Sequence, residues 1–239
     1  MAGRAVLSTV GRASRVTIIV SLVTRFRECT LSGHGDSFRA DRRTDLSAPT
    51  IMRTNEATVV QGPLVRLVPY RREHVPRYHA WMQDPELLEL TCSEQLTLEE
   101  ELANQASWHA DANKCTFIMC SEPPGAPLDD LTHGMSGDVN AFFTPWDPSS
   151  DEPAEADTAE TPLLAELEIM VAEAAQRRRG LAKQALRLFM HYVAERVPRT
   201  CAFCAKIGDA NLPSIALFEQ LGFTEHKRMA VFEQVELRL

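Results

Sequence analysis

The chain has 239 residues, 33 acidic against 25 basic side chains, a formal charge of −8 and 44% hydrophobic residues. That length can bury a substantial core in one domain. The hydrophobic fraction excludes a wholly disordered chain or a membrane bundle, and the acidic balance argues against a nucleic-acid binder.

The charge is unevenly spread. Residues 1–51 hold eight Arg, no Lys and four acids, a net +4, whereas residues 52–239 hold 17 basic and 29 acidic residues, a net −12. The basic part shows no sustained hydrophobic period. Its longest apolar stretch, Val16 to Val23, is broken by Thr17 and Ser21 and is too short to span a bilayer. Three readings are open for residues 1–51. The first 27 residues, with five Arg and no acid, fit a mitochondrial transit peptide. A secretory signal fits poorly, because the apolar run starts late and lacks a clear small-residue cleavage site. The third reading is a disordered or non-native extension ahead of Met52, and it is favoured because periodic sequence begins just after that residue. The expected organisation is therefore an extension over 1–51 and one domain over 52–239.

Leu64 to Pro69 reads as a first strand. His74 to Asp84 reads as a helix with Val75, Tyr78, Trp81 and Met82 on one face. Thr97 to Glu100 has the pattern of a capping box, in which a Thr hydroxyl caps a helix and a Glu reaches back. That helix is expected to run to Asn113 with Leu98, Leu102, Gln105 and Trp108 on related turns. Cys115 to Cys120 is a short apolar strand, Ser121 to Asp130 a proline-rich loop, and Gly137 to Phe143 another strand. Thr144 to Pro162 carries four prolines and six acids. It reads as an acidic mobile excursion, since proline removes backbone donors. Leu164 to Glu173 is the fourth strand and Cys201 to Lys206 the fifth. Between them Ala182, Ala185, Leu186, Phe189 and Val193 form a helical stripe ending near Arg196, with Lys183, Gln184 and Arg187 facing outward. Asn211 is an N-cap with Pro213 in the first turn, and Gly222 is a left-handed terminator. Residues from Phe223 onward close the fold with period-two strands. Strands alternating with helices, together with antiparallel pairs, predict a mixed α/β sheet.

Six cysteines in this length give no disulfide scaffold, and the single Cys201-x-x-Cys204 pair lacks a second ligand pair for zinc. They read as core residues in a reducing, cytoplasmic setting. No metal is expected.

The informative unit is a strand, a basic Gly turn and a helix. A helix N-terminus presents unpaired N–H groups and partial positive charge, and so attracts anions. Gly180 lets the backbone approach a ligand without a Cβ in the way. Arg177, Arg178 and Arg179 add fixed charge, as a diphosphate cradle requires. Neither a Walker A loop nor a dinucleotide G-x-G-x-x-G is present.

Arg177-Arg-Arg-Gly-Leu-Ala182 resembles the Gln/Arg-x-x-Gly-x-Gly/Ala signature of GNAT N-acetyltransferases. Asn211-x-x-Ser-Ile-x-Leu-Phe-x-x-Leu-Gly-Phe223 is similar to their second motif. Leu67-Val-Pro-Tyr70, His74-Val-Pro76, Lys114-Cys-Thr-Phe-Ile118, Gly137-Asp-Val-Asn140 and Ala205-Lys-Ile-Gly208 look like the N-acetyltransferase 9-like group. The resemblance covers about residues 52–239. It implies a GNAT fold with a mixed central sheet of about seven strands, helices on both faces and a splay between strands four and five. Acetyl-CoA would lie in that gap. Main-chain groups near Met170 and Val171 would pair with the pantetheine arm. The turn Arg177 to Ala182, including Leu181, would hold the pyrophosphate. Asn211 would bond the pantetheine, with Ser214 beside it. Glu168 matches the position of a common base. The group is associated with acetylating protein N-termini, notably of tubulins.

Two departures stand out. Phe218 sits where many GNAT enzymes place a Tyr as acid to the leaving thiolate, and Arg178 sits where many have Gly. An α-amine, with an unperturbed pKa of about 7.7–8.0, needs less help than a lysine at about 10.4. A site without an obvious strong base therefore suits α-amines. The expected function is acetyl transfer from acetyl-CoA to a protein N-terminal α-amine, tubulin or microtubules being the implied partner. The alternatives are a catalytically weak acetyl-CoA-binding cytoskeletal or signalling partner, and a small-amine acetyltransferase.

Overall fold

A computed structural model describes residues 55–121 and 132–239, together with the backbone of two short strands, Val6–Ser8 and Val16–Ile19. The predicted proline loop after Ser121, and nearly all of the basic segment, lie outside the described residues.

From Asn55 onward the chain builds nine strands. These are β1 (Thr58–Gln61), β2 (Arg66–Pro69), β3 (Lys114–Cys120), β4 (Met135–Asp147), β5 (Glu152–Pro153), β6 (Leu163–Val171), β7 (Thr200–Gly208), β8 (Thr224–Met229) and β9 (Gln234–Arg238). The helices are α1 (Val75–Trp81), α2 (Pro85–Leu90), α3 (Leu98–Ala110), α4 (Leu181–Arg196) and α5 (Leu212–Glu219). The sheet runs β1-β2-β3-β4-β6-β7-β9-β8, with β5 pairing onto β4. Among these nine strands, β6 and β7 are the one parallel pair, joined by the crossover helix α4, as parallel pairing demands.

Helices cover both faces. On one face Leu67, Phe117, Val139 and Leu167 pack beneath Leu186, Phe189 and Val193 of α4. Phe117 meets Phe189 and Tyr192 edge-on at 5.9 and 5.1 Å. Truncating Phe189 here would cost about 3–5 kcal/mol. On the other face Val68, Tyr70, Ile118 and Met170 meet Val75, Tyr78 and Trp81 of α1. Strand β3 is buried along its whole length, because both faces are covered.

Several elements follow the sequence closely. Both capping-box bonds form at α3, with Thr97 N–H donating to Glu100 Oε2 at 2.8 Å and Glu100 N–H to Thr97 Oγ1 at 3.3 Å. Gly222 takes φ +100. Others differ. The helix predicted over His74–Asp84 breaks after Trp81, and a further short helix follows, capped by Asp84 and opened by Pro85. On α3 the expected Gln105 is buried, but Glu101 is buried with it and the expected Leu98 is exposed. Gln184 on α4 turns inward rather than outward, accepting the N–H groups of Leu64 and Val65 at 2.7 and 2.9 Å. It thereby caps the β1–β2 hairpin. Of the described cysteines, Cys115, Cys120 and Cys204 are buried as expected, whereas Cys92 and Cys201 are exposed.

The predicted acidic excursion is partly regular. Strand β4 continues through Pro145 to Asp147 and folds back on β5. Pro145 is tolerated because its carbonyl still accepts from Ala154 N–H, while Trp146 N–H donates to Pro162. Arg199 ties the rest of the loop, reaching Asp157 Oδ1 at 2.7 Å and the Thr161 carbonyl at 3.1 Å.

Candidate active site

Strands β6 and β7 pair from Leu163↔Thr200 to Glu166↔Cys204, and there the pairing ends. Beyond that point β6 stays with β4 as far as Gly137↔Val171. Strand β7 stays with β9 as far as Gly208↔Gln234. The sheet therefore opens into a cleft between Leu167–Val171 and Ala205–Gly208. This is the splay expected between the fourth and fifth major strands.

Main-chain direction alternates along a strand. Ala172 N–H donates to Ser136 of the β4 side, so Val171 faces the cleft and Met170 faces β4. A Cβ placed on Gly137 would sit on the Met170 carbonyl, which shows how closely β4 and β6 approach there. Of the two residues expected to pair with pantetheine, Val171 has its main chain at the opening. Its carbonyl accepts from Arg177 Nε at 3.1 Å. The Met170 side chain is buried in the core beneath α1.

The cradle forms at the start of α4. Gly180 is the N-cap at φ +83, and Leu181 begins the helix. A Cβ on Gly180 would meet only Leu64 Cδ1, at 3.8 Å. The constraint from within the protein is therefore the left-handed backbone, with open space in front. Arg178 is also left-handed, at φ +62, which explains why glycine suits that position. The first helical N–H groups, on Leu181, Ala182 and Lys183, have no acceptor inside the helix. The three arginines divide their work. Arg177 turns back to Val171 and to Glu86 Oε1 at 3.2 Å. Arg179 bonds Gln176 at 2.7 Å, and Arg178 is exposed. Glu173, ahead of the turn, accepts from Trp81 Nε1 at 2.7 Å and pairs with Arg77. Helices α1 and α2 are thus both fastened to the cradle.

Beyond the cleft, Asn211 caps α5. Its Oδ1 accepts Ser214 N–H at 3.2 Å, leaving the amide N–H groups as donors. Asn211 N–H itself donates to Gly208 at the end of β7, so Asn211 and the half-buried Ser214 stand beside the splay. Phe218 is buried and packs edge-on to Phe223 at 5.0 Å. It belongs to the core.

The face of the sheet toward α1 and α3 carries a polar row. Thr116, Asn140 and Glu168 are lateral neighbours. Thr116 Oγ1 lies 2.6 Å from Asn140 Oδ1, and Asn140 Nδ2 donates to Asp138 Oδ2 at 2.7 Å. Burial pushes the Asp138 carboxyl up to about 7, against the Asn140 hydrogen bond. The Tyr78 hydroxyl is near enough to favour the ionised form, yet Oδ1 makes no hydrogen bond among the described residues. Lys114 is buried with its Nζ 3.3 Å from the Trp108 ring centre and 3.9 Å from that of Phe142. Burial lowers its pKa to about 8, against the attraction of Glu168, Asp138 and Asp111. The two ring faces also favour the ammonium.

Glu168 is reached by solvent, but neighbouring atoms crowd out much of its hydration. That desolvation raises its pKa above the ordinary 4.5, with Lys114 opposing. Glu166, one step before, pairs with Lys206 at 2.6 Å. Glu168 is the first residue on the polar face beyond the last β6–β7 pairing. The Lys114, Asp138 and Tyr78 cluster was not legible as a site. Strand alternation places Asp138 with Asn140, but nothing in the sequence marks which face holds chemistry.

Comparison with known proteins agrees with this geometry. Residues 65–224 match the acetyltransferase (GNAT) domain family. An N-acetyltransferase 9-like protein of Nematostella vectensis is 43% identical over 188 residues, covering 78% of this chain and 88% of its own. The human alpha/beta-tubulin-N-acetyltransferase 9 is 42% identical over 194 residues, covering 79% and 86%. Among solved structures, a ribosomal L7/L12 alpha-N-protein acetyltransferase in complex with coenzyme A superposes with a TM-score of 0.56. It has 15% identity and covers 76% of this chain and 97% of its own. That likeness speaks to the fold. The splayed sheet, the Gly180 cradle and these relatives agree: the chain belongs to the GNAT acetyltransferases, in their N-acetyltransferase 9-like group, and is an acetyl-CoA-dependent N-acetyltransferase.

Proposed function

We propose that the protein acetylates the N-terminal α-amine of a polypeptide, with Glu168 as the base and tubulin as the acceptor suggested by the names of its relatives. The observation that carries this reading is the place of Glu168, at the mouth of the splay on the polar face. Acetyl-CoA fits the opening: Val171 presents its main chain to an extended arm, Asn211 offers amide donors, and Arg179 with the N–H groups of Gly180, Leu181 and Ala182 meets the diphosphate. The acceptor nitrogen forms a bond to the acetyl carbon as the carbon–sulfur bond breaks, and the second proton that the nitrogen loses leaves with the sulfur as the CoA thiol. Glu168 takes the proton that the ammonium gives up, directly or through one water.

At pH 7 roughly one α-amine in ten is neutral, against about one lysine side chain in 2,500. A single carboxylate beside the buried Lys114 ammonium is therefore matched to an α-amine. Phe218 offers no proton to the departing thiolate, and an α-amine acceptor shifts the demand onto orientation, which can offset about 7–11 kcal/mol.

The test is acetylation of free N-terminal peptides, including tubulin termini, against N-blocked lysine peptides and polyamines. The N-terminal series should be turned over best. Glu168→Gln should lower kcat/KM about 100-fold at neutral pH and recover as rising pH deprotonates the amine itself. Saturable acetyl-CoA binding with no turnover of any amine would overturn the reading, as would unchanged Glu168→Gln turnover from pH 6 to 9.

A further inference from the structure

Beside the polar row lies a second cavity of about 210 Å³, between α1, the segment before α3, and α3 itself. Its walls include Tyr78, Met82 and Trp108, with Glu94, Glu101 and Asn104. The volume is below the ~300–1,000 Å³ of sites for drug-sized ligands and suits one side chain. Glu101 is the unusual member. It is only 3% exposed and faces the cavity without a hydrogen bond or ion pair within the described protein. Burial raises its pKa, and the nearest opposing charge is His79. The Glu101 oxygens are not sealed from solvent but open on the cavity, where an incoming cation would supply the charge partner that the described protein does not. No basic residue lines the cavity, and Glu94 adds a second carboxylate where it reaches solvent. Tyr78 and Trp108, edge-on at 6.4 Å, supply aromatic surface of the kind that receives cations. Lys114, seated on Trp108, is balanced by Glu168, Asp138 and Asp111.

The cavity adjoins the reaction centre through its own walls. Tyr78 acts on Asp138, and Asp138 stands two positions along β4 from Asn140, the lateral neighbour of Glu168. Two positions span about 7 Å of strand. An extended acceptor whose amine lies at Glu168 would bring a side chain of its first residues to this cavity.

We infer that this cavity is an acceptor-side pocket for a lysine or arginine side chain within the first three residues of the polypeptide being acetylated. The inference rests on the α-amine reading above. The experiment uses the full chain and peptides with Arg, Gln or Glu at positions two and three, and compares kcat/KM for wild type and Glu101→Gln. Wild type should prefer Arg at one of these positions over Gln at least 10-fold, and over Glu by more. Glu101→Gln, isosteric and checked for an intact melting transition, should lose that preference while still acetylating the Gln peptides. Glu94→Gln should lose part of it. A non-reactive probe, the N-acetylated Arg peptide titrated against tryptophan fluorescence, should bind wild type at least 10-fold more tightly than Glu101→Gln. Equal kcat/KM for Arg and Gln peptides at both positions would overturn the pocket and leave the α-amine reading standing, as would a preference that survives Glu101→Gln. Acetylation confined to lysine side chains or polyamines would instead overturn the α-amine reading, and equal probe affinity for the two proteins would separately overturn the pocket.

Discussion

Replacing Asp138 with Asn should change how stability depends on pH. The carboxyl has an ordinary value of 3.8 and is held near 7, mainly by burial. Between those values the folded protein binds a proton that the unfolded chain has released. Stability therefore falls as pH rises from about 4 to 7, and the loss is complete above the folded value. At about 1.4 kcal/mol per pH unit, the full penalty is on the order of 4 kcal/mol. Asn keeps an oxygen for Asn140 Nδ2 and cannot ionise. Any cost of seating its amide at the unpartnered oxygen position does not depend on pH. Guanidinium unfolding of both proteins at pH 4, 5.5 and 7, extrapolated to water, isolates the difference. The wild type should lose about 2–4 kcal/mol more than the variant across that range. Parallel stability curves would refute the reasoning, because they would mean that Asp138 ionises as easily in the fold as outside it.

Four further substitutions test the cradle and the sheet. Gly180→Val forces a β-branched residue to φ +83 and crowds the approach to the helix N-terminus; calorimetric acetyl-CoA affinity should fall by about 100-fold or more, equal to about 2.7 kcal/mol, and an unaltered Kd would remove the cradle assignment. Arg178→Gly relieves the left-handed cost of about 1–2 kcal/mol, partly offset by glycine's greater unfolded freedom, so the melting temperature should hold or rise while acetyl-CoA binding weakens modestly through the lost charge. Gly137→Ala places a Cβ on the Met170 carbonyl and should cost more than about 3 kcal/mol in denaturant, whereas Gly208→Ala, with open space around it, should be nearly neutral.

The sequence showed the donor half of the site more clearly than the acceptor half, for a physical reason. Diphosphate binding needs a short local device of strand, glycine turn and helix, and Arg177 to Ala182 spells it in consecutive residues. The sequence pattern could not say that Arg177 would be spent on Val171 and Glu86 rather than on phosphate. The proposed acceptor side is assembled from distant segments: Tyr78 on α1, Trp108 on α3, Lys114 on β3, Asp138 on β4 and Glu168 on β6. Periodicity also misled there, because it seeks apolar stripes. On α3 it chose Leu98, which is exposed, and passed over Glu101, which the fold buries along with the expected Gln105. Gln184 was placed outward for the same reason, although it caps a hairpin from inside. The acidic loop concealed its short strand because proline was read only as a lost donor, when Pro145 also keeps an acceptor that the turn uses.

Glu173 ties α1 to the segment that leads into the Gly180 turn. One of its oxygens meets both Arg77 and Trp81 of α1, and it stands four residues before the basic turn. Arg177, inside that turn, holds Glu86 of α2. The helices beside the proposed acceptor cavity are therefore held by the same latch that shapes the cradle. A diphosphate seated on the proposed cradle would also steady α1 and α2, through Glu173 and Arg177.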